Sequence, residues 1–205
     1  LNGKQVLMRV DFNVPVNAEE NPTGQTKSKI ASEFKINAHQ ETINYLLENG
    51  VKVLLVSHHD NLESFLPIVE EIGEILGQTT SLVPHTEFSA VDTLFQTGPL
   101  LLLDNIRQDK REQENNETLA KEFSQGFDLF INDAFAVSHR NHALVTSVTK
   151  VLPSYAGFLI KKEVENLSQA IEAPTKGKVL VLGGAKISTK LPVIKNFLDK
   201  AEKIL

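Results

Sequence analysis

Arginine is scarce in this 205-residue sequence: Arg9, Arg107, Arg111 and Arg140 are the only four among 21 basic residues. Because its planar fork grips carboxylate and phosphate at two points, the places where those four fall are informative. Arg107 follows Asp104-Asn105 at the end of an apolar run, and Arg140 follows Ser138-His139 just after another. Two further apolar runs end in Asp11-Phe12-Asn13 and in Ser57-His58-His59-Asp60-Asn61. If those ends share one edge, Asp11, Asn13, His58, Arg107, His139 and Arg140 form a cleft. Its cations face a small anion, and a carboxylate and an amide fix the anion's hydroxyls. Singly, each has a plainer reading: Asp11 and Asn13 as turn formers, Arg107 as a helix cap, His139 or His142 as a satisfied loop histidine. Convergence carries the expectation.

A second cluster lies at Leu182-Gly183-Gly184-Ala185-Lys186, a strand-glycine-helix turn that would let backbone N–H groups approach phosphate. It matches neither GxxxxGK[ST] nor GxGxxG. Lys186 and Lys190 are one helical turn apart, so both ammonium groups could follow one anion. The six histidines provide no i, i+4 pair on a helix, and His58 and His59 point apart on a strand, so no protein-bound metal is expected.

Bringing those residues together demands a fold that collects strand ends. Residues 4–10, 51–57, 100–103, 127–131 and 178–182 are short apolar runs without helical period and read as buried strands. Helices are expected over 36–49, 63–76 (with Pro67 near its first turn) and 117–124, stopping at Gly50, Gly77 and Gly126. The alternation implies an α/β fold: a doubly wound parallel sheet with helices on both faces, a three-layer, Rossmann-like arrangement with ligands at the strand C-terminal ends. A helix over 157–172 precedes the linker Ala173-Pro174-Thr175-Lys176-Gly177. One strand, a glycine turn and a helix over 190–204 follow, too little to bury their own faces. The expected division is 1–156, a first domain; 157–176, a hinge helix and linker; and 177–205, the truncated start of a second α/β domain. Residues 110–118 (KREQENNET) read as a solvated charge run without functional role.

Composition excludes several alternatives. Hydrophobic residues make 41% and charged residues 23%, as in ordinary globular proteins, so disorder and collagen-like repeats are ruled out. With 21 basic against 26 acidic residues, the net charge of −5 argues against nucleic acid or anionic lipid as partner. No membrane span or secretion leader is visible, and the absence of cysteine excludes disulfides and thiolate chemistry. A cytoplasmic monomer acting on small molecules is expected.

The motifs RVDFNVP (Arg9 to Pro15), Ser57-His58, LLLLDNIR (Leu100 to Arg107), INDAF with SHRNH (Ile131 to His142) and LGGAKIS (Leu182 to Ser188) resemble phosphoglycerate kinase along nearly the whole chain. The resemblance implies a transferase of glycolysis, carrying out reversible phosphoryl transfer between 1,3-bisphosphoglycerate/ADP and 3-phosphoglycerate/ATP. In that family an N-terminal domain binds 3-phosphoglycerate, a C-terminal domain binds Mg-ATP or Mg-ADP, and hinge bending brings them together. Carried over, substrate binding falls to Asp11, Phe12, Asn13, Lys35, His58, Asn61, Arg107 and Arg140. Nucleotide binding falls to Gly183, Gly184, Lys186 and Lys190, and catalysis to Lys35 and Lys186. The metal and most nucleotide contacts would lie beyond residue 205, so the chain is expected to be inactive alone.

Two departures from that pattern matter. Lys35 stands where the family usually has an arginine before the first long helix, and Asn61 where it has a phosphate-binding arginine, with acidic Asp60 beside it. Losing a charge-assisted contact costs about 1.5 to 3 kcal/mol. A second reading is therefore a degenerate paralogue that keeps the fold as a binding or interaction protein without kinase activity.

Overall fold

The computed structural model describes residues 1–20, 26–184 and 190–205. The chain separates into two compact units, Leu1–Lys161 and Lys162–Leu205. In the first, Gln5–Arg9 (β1) is followed by an antiparallel hairpin of Val16–Glu20 (β2) and Thr26–Ile30 (β3). Next come Phe34–Asn37 (α1), Gln40–Glu48 (α2), Lys52–Val56 (β4), Val69–Leu76 (α3), Ser81–Val83 (β5), Val91–Leu94 (α4) and Leu100–Leu103 (β6). Lys110–Gln113 (α5), Glu117–Glu122 (α6), Leu129–Asn132 (β7) and Ser154–Ala156 (β8) complete it, and Phe158–Glu172 (α7) starts in it.

Six of these strands form one sheet in the order β5-β6-β4-β1-β7-β8, with every adjacent pair parallel. Alternation along each strand sends successive side chains to opposite faces, so an apolar run builds two cores at once. Val6, Met8, Val53, Leu55, Leu100 and Leu102 join one, with Ile43 and Leu46 of α2 and Ile72 and Leu76 of α3. Leu7, Leu54, Leu101, Leu103 and Phe130 join the other, with Leu119, Ala120 and Phe123. The sheet is thus covered on both faces, the α/β architecture expected. Because β1 has β4 on one side and β7 on the other, the winding reverses beside it, which in such sheets is where ligands bind.

Two glycine stops are as expected, Gly50 and Gly77 with φ of 69° and 66°; Gly126 also has a positive φ of 85°, but α6 ends earlier, at Glu122, capped by Phe123. Several element bounds are not. The helix expected over 36–49 is two helices, parted at Ala38-His39, where the His39 side chain turns inward to bond the backbone N–H of Asp11. The helix expected from 63 begins only at Val69: Phe65 N–H is held by Asp104 Oδ1 at 2.8 Å, and Pro67 disfavours helical backbone before it. β5, β8 and the β2-β3 hairpin come from segments without a recognisable strand pattern.

In the second unit Val179–Leu180 (β9) pairs in parallel with Lys203–Ile204 (β10), and Leu191–Phe197 (α8) lies between them in sequence. The helix expected over 190–204 therefore ends early, its last residues entering this ladder. No described helix is long and apolar enough to cross a membrane.

Candidate functional site

Beyond β1, Asp11 is nearly buried and uses both carboxylate oxygens: Oδ1 accepts the Asn13 N–H at 3.1 Å and Oδ2 accepts from Lys35 Nζ at 2.9 Å. Lys35 Nζ also donates to the Asn13 carbonyl at 3.1 Å. Asp11 is thus both a turn former and the counter-ion of Lys35. Phe12 does not face the cleft with its side chain: the ring is fully buried against His39, and its N–H donates to Ser57 Oγ at 2.8 Å. Any contact it makes with a ligand is through backbone.

Past β4 the two adjacent histidines divide their roles. His59 Nδ1 accepts the N–H groups of Asn61 and Leu62 at 3.1 and 3.0 Å. Nε2 therefore carries the proton and donates to the Val14 carbonyl at 2.9 Å, so His59 shapes the loop. His58 is 1% exposed, yet neither ring nitrogen has a hydrogen-bond partner in the described protein. Burial lowers its pKa from 6.5 to about 4, helped by the positive charges of Arg9 and Arg107, so at neutral pH it is an uncharged ring. Asp60 then meets Asn13 reciprocally: Asn13 Nδ2 donates to Asp60 Oδ2 at 2.8 Å, and Asp60 N–H donates to Asn13 Oδ1 at 3.2 Å.

At the end of β6, Asp104 and Asn105 are structural. Asn105 Oδ1 accepts the N–H groups of His59 and Arg107, and its Nδ2 donates to the carbonyls of His59 and Leu62. This clamps the 59–62 loop to Arg107. Arg107 Nε lies 3.5 Å from Asp60 Oδ1, while its Nη1 is buried without a hydrogen-bond partner in the described protein. Burial alone would push the Asp60 carboxyl up, but the Asn13 hydrogen bond, with His58, Arg107 and Arg140, holds it below the usual aspartate range. Arg107 thus meets this carboxylate directly, and the positive charge of Arg140, on a loop after a different strand, is felt by it as well. His139 is exposed, and partly buried His142 has Nδ1 3.9 Å from Glu112 Oε1. A cavity of about 760 Å³ opens here, with Asp60, Asn61, Asn105, Arg107, Gln108 and Gln113 in its walls.

Three residues that support this rim have roles with no sequence signal of their own. His39 and Asp133 are buried and paired at 2.8 Å. Glu112, inside the supposedly solvated run 110–118, is fully buried and accepts from Arg9 Nη1 at 2.9 Å and from Leu144 N–H at 2.8 Å. The charge-run reading is corrected there: a polar stretch hides one inward carboxylate whose partner is about 100 residues earlier. In the second unit, Gly184 adopts φ of 110°, and a Cβ at that position would stand 3.0 Å from Lys190 Nζ. Lys186 lies outside the described residues.

These residues are laid out in the order of a known family. The family model described as phosphoglycerate kinase matches residues 1–205. The chain belongs to the phosphoglycerate kinase family. It is 39% identical to phosphoglycerate kinase of Coprothermobacter proteolyticus, over 98% of this chain and 52% of that protein. The corresponding enzyme of Thermosipho africanus is 40% identical, over all of this chain and 51% of the relative. Among solved structures, phosphoglycerate kinase from Pyrococcus horikoshii superimposes with a TM-score of 0.85 at 29% identity, covering 99% of this chain and 52% of that one. The chain spans about half the length of the curated relatives it matches. Members of the family are kinases, and the described part of this one brings Arg107, His58 and Asn13 around Asp60.

Proposed function

We propose that the rim at the strand ends of Leu1–Lys161 holds 3-phosphoglycerate, as the acceptor half of a phosphoglycerate kinase. The observation that carries this reading is the pair of buried groups without hydrogen-bond partners in the described protein, the His58 ring and Arg107 Nη1, with Arg107 Nε 3.5 Å from the Asp60 carboxylate that Asn13 also holds. Buried polar atoms of native proteins are normally satisfied, so enclosed groups left without partners beside a cavity suit a polar ligand that the protein itself does not supply. Arg107, Arg140 and His58 would take the phosphate end, and Asp11 and Asn13 the hydroxyl and carboxylate region; Asn61 would supply a neutral contact.

In the reaction, a carboxylate oxygen of 3-phosphoglycerate attacks the terminal phosphorus of ATP. The new P–O bond forms as the bond to the departing ADP breaks, giving 1,3-bisphosphoglycerate without a covalent enzyme intermediate. Charge spread over the equatorial oxygens calls for fixed cations, the roles of Lys35 and Lys186. The Gly183-Gly184 turn and Lys190 would meet the nucleotide phosphates; their N–H and ammonium groups suit phosphate oxygens rather than magnesium, which would arrive with the nucleotide. In domain terms, 1–156 would bind the acid, 157–176 would be the hinge, and 177–205 would open the nucleotide-binding part.

Calorimetric titration of the 205-residue chain with 3-phosphoglycerate tests the substrate assignment. Binding is expected, with Arg140→Ala weaker by roughly tenfold to a hundredfold. No heat at millimolar ligand, or an unaffected variant, would refute it. A coupled assay of 1,3-bisphosphoglycerate formation should detect no turnover by this chain alone.

A further inference from the structure

We infer that Asp60 is a built-in competitor anion: its carboxylate occupies contacts that an incoming anionic substrate needs, at Arg107 for its phosphate end and at Asn13 for its hydroxyl and carboxylate region, and so sets how weakly the site binds anions. This rests on the substrate reading above and adds a residue that determines affinity within the same site.

The geometry carries it. Asp60 is held at two points, by Asn13 Nδ2 at 2.8 Å on one oxygen and by Arg107 Nε at 3.5 Å on the other. Arg107, with His58, is what the phosphate end would use, and Asn13 is what the hydroxyl and carboxylate region would use. The Asp60 side chain is 50% exposed and that of Arg107 16%, so the carboxylate is much more open to solvent than the guanidinium it meets. Asp60 and Arg107 line the same cavity, so an anion that reaches Arg107 from it also meets the Asp60 carboxylate.

Two courses are then open to the carboxylate. If it stays, two negative charges share one guanidinium and repel each other at short range. If it swings out, it surrenders the Asn13 and Arg107 contacts before the ligand makes its own. Either course subtracts from ligand affinity. The reciprocal bond from Asp60 N–H to Asn13 Oδ1 involves backbone and survives any change of side chain. Removing the charge at residue 60 therefore opens the site without dismantling its loop.

The test is calorimetric titration of the 205-residue chain with 3-phosphoglycerate and, separately, inorganic phosphate, in wild type, Asp60→Asn, Asp60→Ala and Arg107→Ala. Both Asp60 variants are expected to bind roughly three- to tenfold more tightly than wild type at low salt. Near 0.5 M salt the gain should shrink, because screening removes what a charge contributed. Arg107→Ala should weaken binding in every case. If wild type binds and Arg107→Ala weakens it, while the Asp60 variants bind no better, the competitor role is wrong and the substrate reading stands. A gain of equal size at low and high salt also overturns it, since shape rather than charge would then be responsible. If no protein of the set binds either ligand, both readings fall together.

Discussion

His39 Nδ1 lies 2.8 Å from Asp133 Oδ2, and the opposite ring nitrogen, Nε2, accepts the backbone N–H of Asp11 at 2.9 Å. Since Nε2 is an acceptor, the proton sits on Nδ1 and is donated to the carboxylate. The other Asp133 oxygen accepts the Leu159 N–H at 3.0 Å. One enclosed imidazole thus ties the start of α7 to the loop that presents Asp11 and Asn13. His39→Ala would strip a buried carboxylate of its only side-chain hydrogen-bond donor among the described residues, and is expected to cost about 3 kcal/mol of stability. Urea unfolding measures this; a loss well under 1 kcal/mol would mean water replaces the ring.

Arg9 and Glu112 form the second enclosed pair, with side chains 1% and 0% exposed. Either partner alone would be an isolated charge in the core. Arg9→Met is expected to destabilise by about 3 to 5 kcal/mol, whereas adding Glu112→Leu should recover much of that loss. The recovery will be partial, because Glu112 also accepts the Leu144 N–H. Additive losses in the double variant would show that the two side chains are not coupled.

The His58 ring gives the fold an acid sensitivity of known sign. Its pKa falls from 6.5 to about 4 on folding, first through burial and then through Arg9 and Arg107. Between those values the unfolded chain binds more protons than the folded one, so stability falls as pH drops through that window and the deficit is complete below it. The stability curve of His58→Gln should lack this component, so its difference from wild type grows between pH 6.5 and about 4 and is constant at higher pH. Parallel curves across that range would contradict the assignment.

Asn61 lines the cavity beside Arg107, is exposed, and sits in a loop fixed by His59 and Asn105. Asn61→Arg is therefore expected to leave the loop in place and add a charged donor. Affinity for 3-phosphoglycerate should rise by about tenfold, the worth of one charge-assisted contact. A titration showing no gain would place the phosphate away from this corner.

Much of the sheet could be read from local pattern, because strands buried on both faces are apolar at every position, as in Leu100–Leu103. The stops at Gly50 and Gly77 were equally legible, since positive φ is a local demand. Ser154–Ala156 was not: this edge strand is exposed at all three positions and pairs only with β7, so it needs no apolar signature. At the rim, Asp11, His58 and Arg107 announced themselves by type and by following apolar runs. Glu112 and His39 did not, and the structural role of Asp133, although it follows an apolar run, did not either, because an inward polar residue is betrayed only by its partner, and each partner here is about 100 residues away in sequence.

Gly157 shows how little room the α7 junction leaves. A Cβ there would land on the Asp133 carboxylate, although the backbone needs no unusual angle. Even alanine would thus act as a wedge, tilting that carboxyl off the imidazole and loosening the segment that carries Asp11. One methyl group at the start of α7 would be passed on, through a carboxylate and a ring, to the backbone of Asp11.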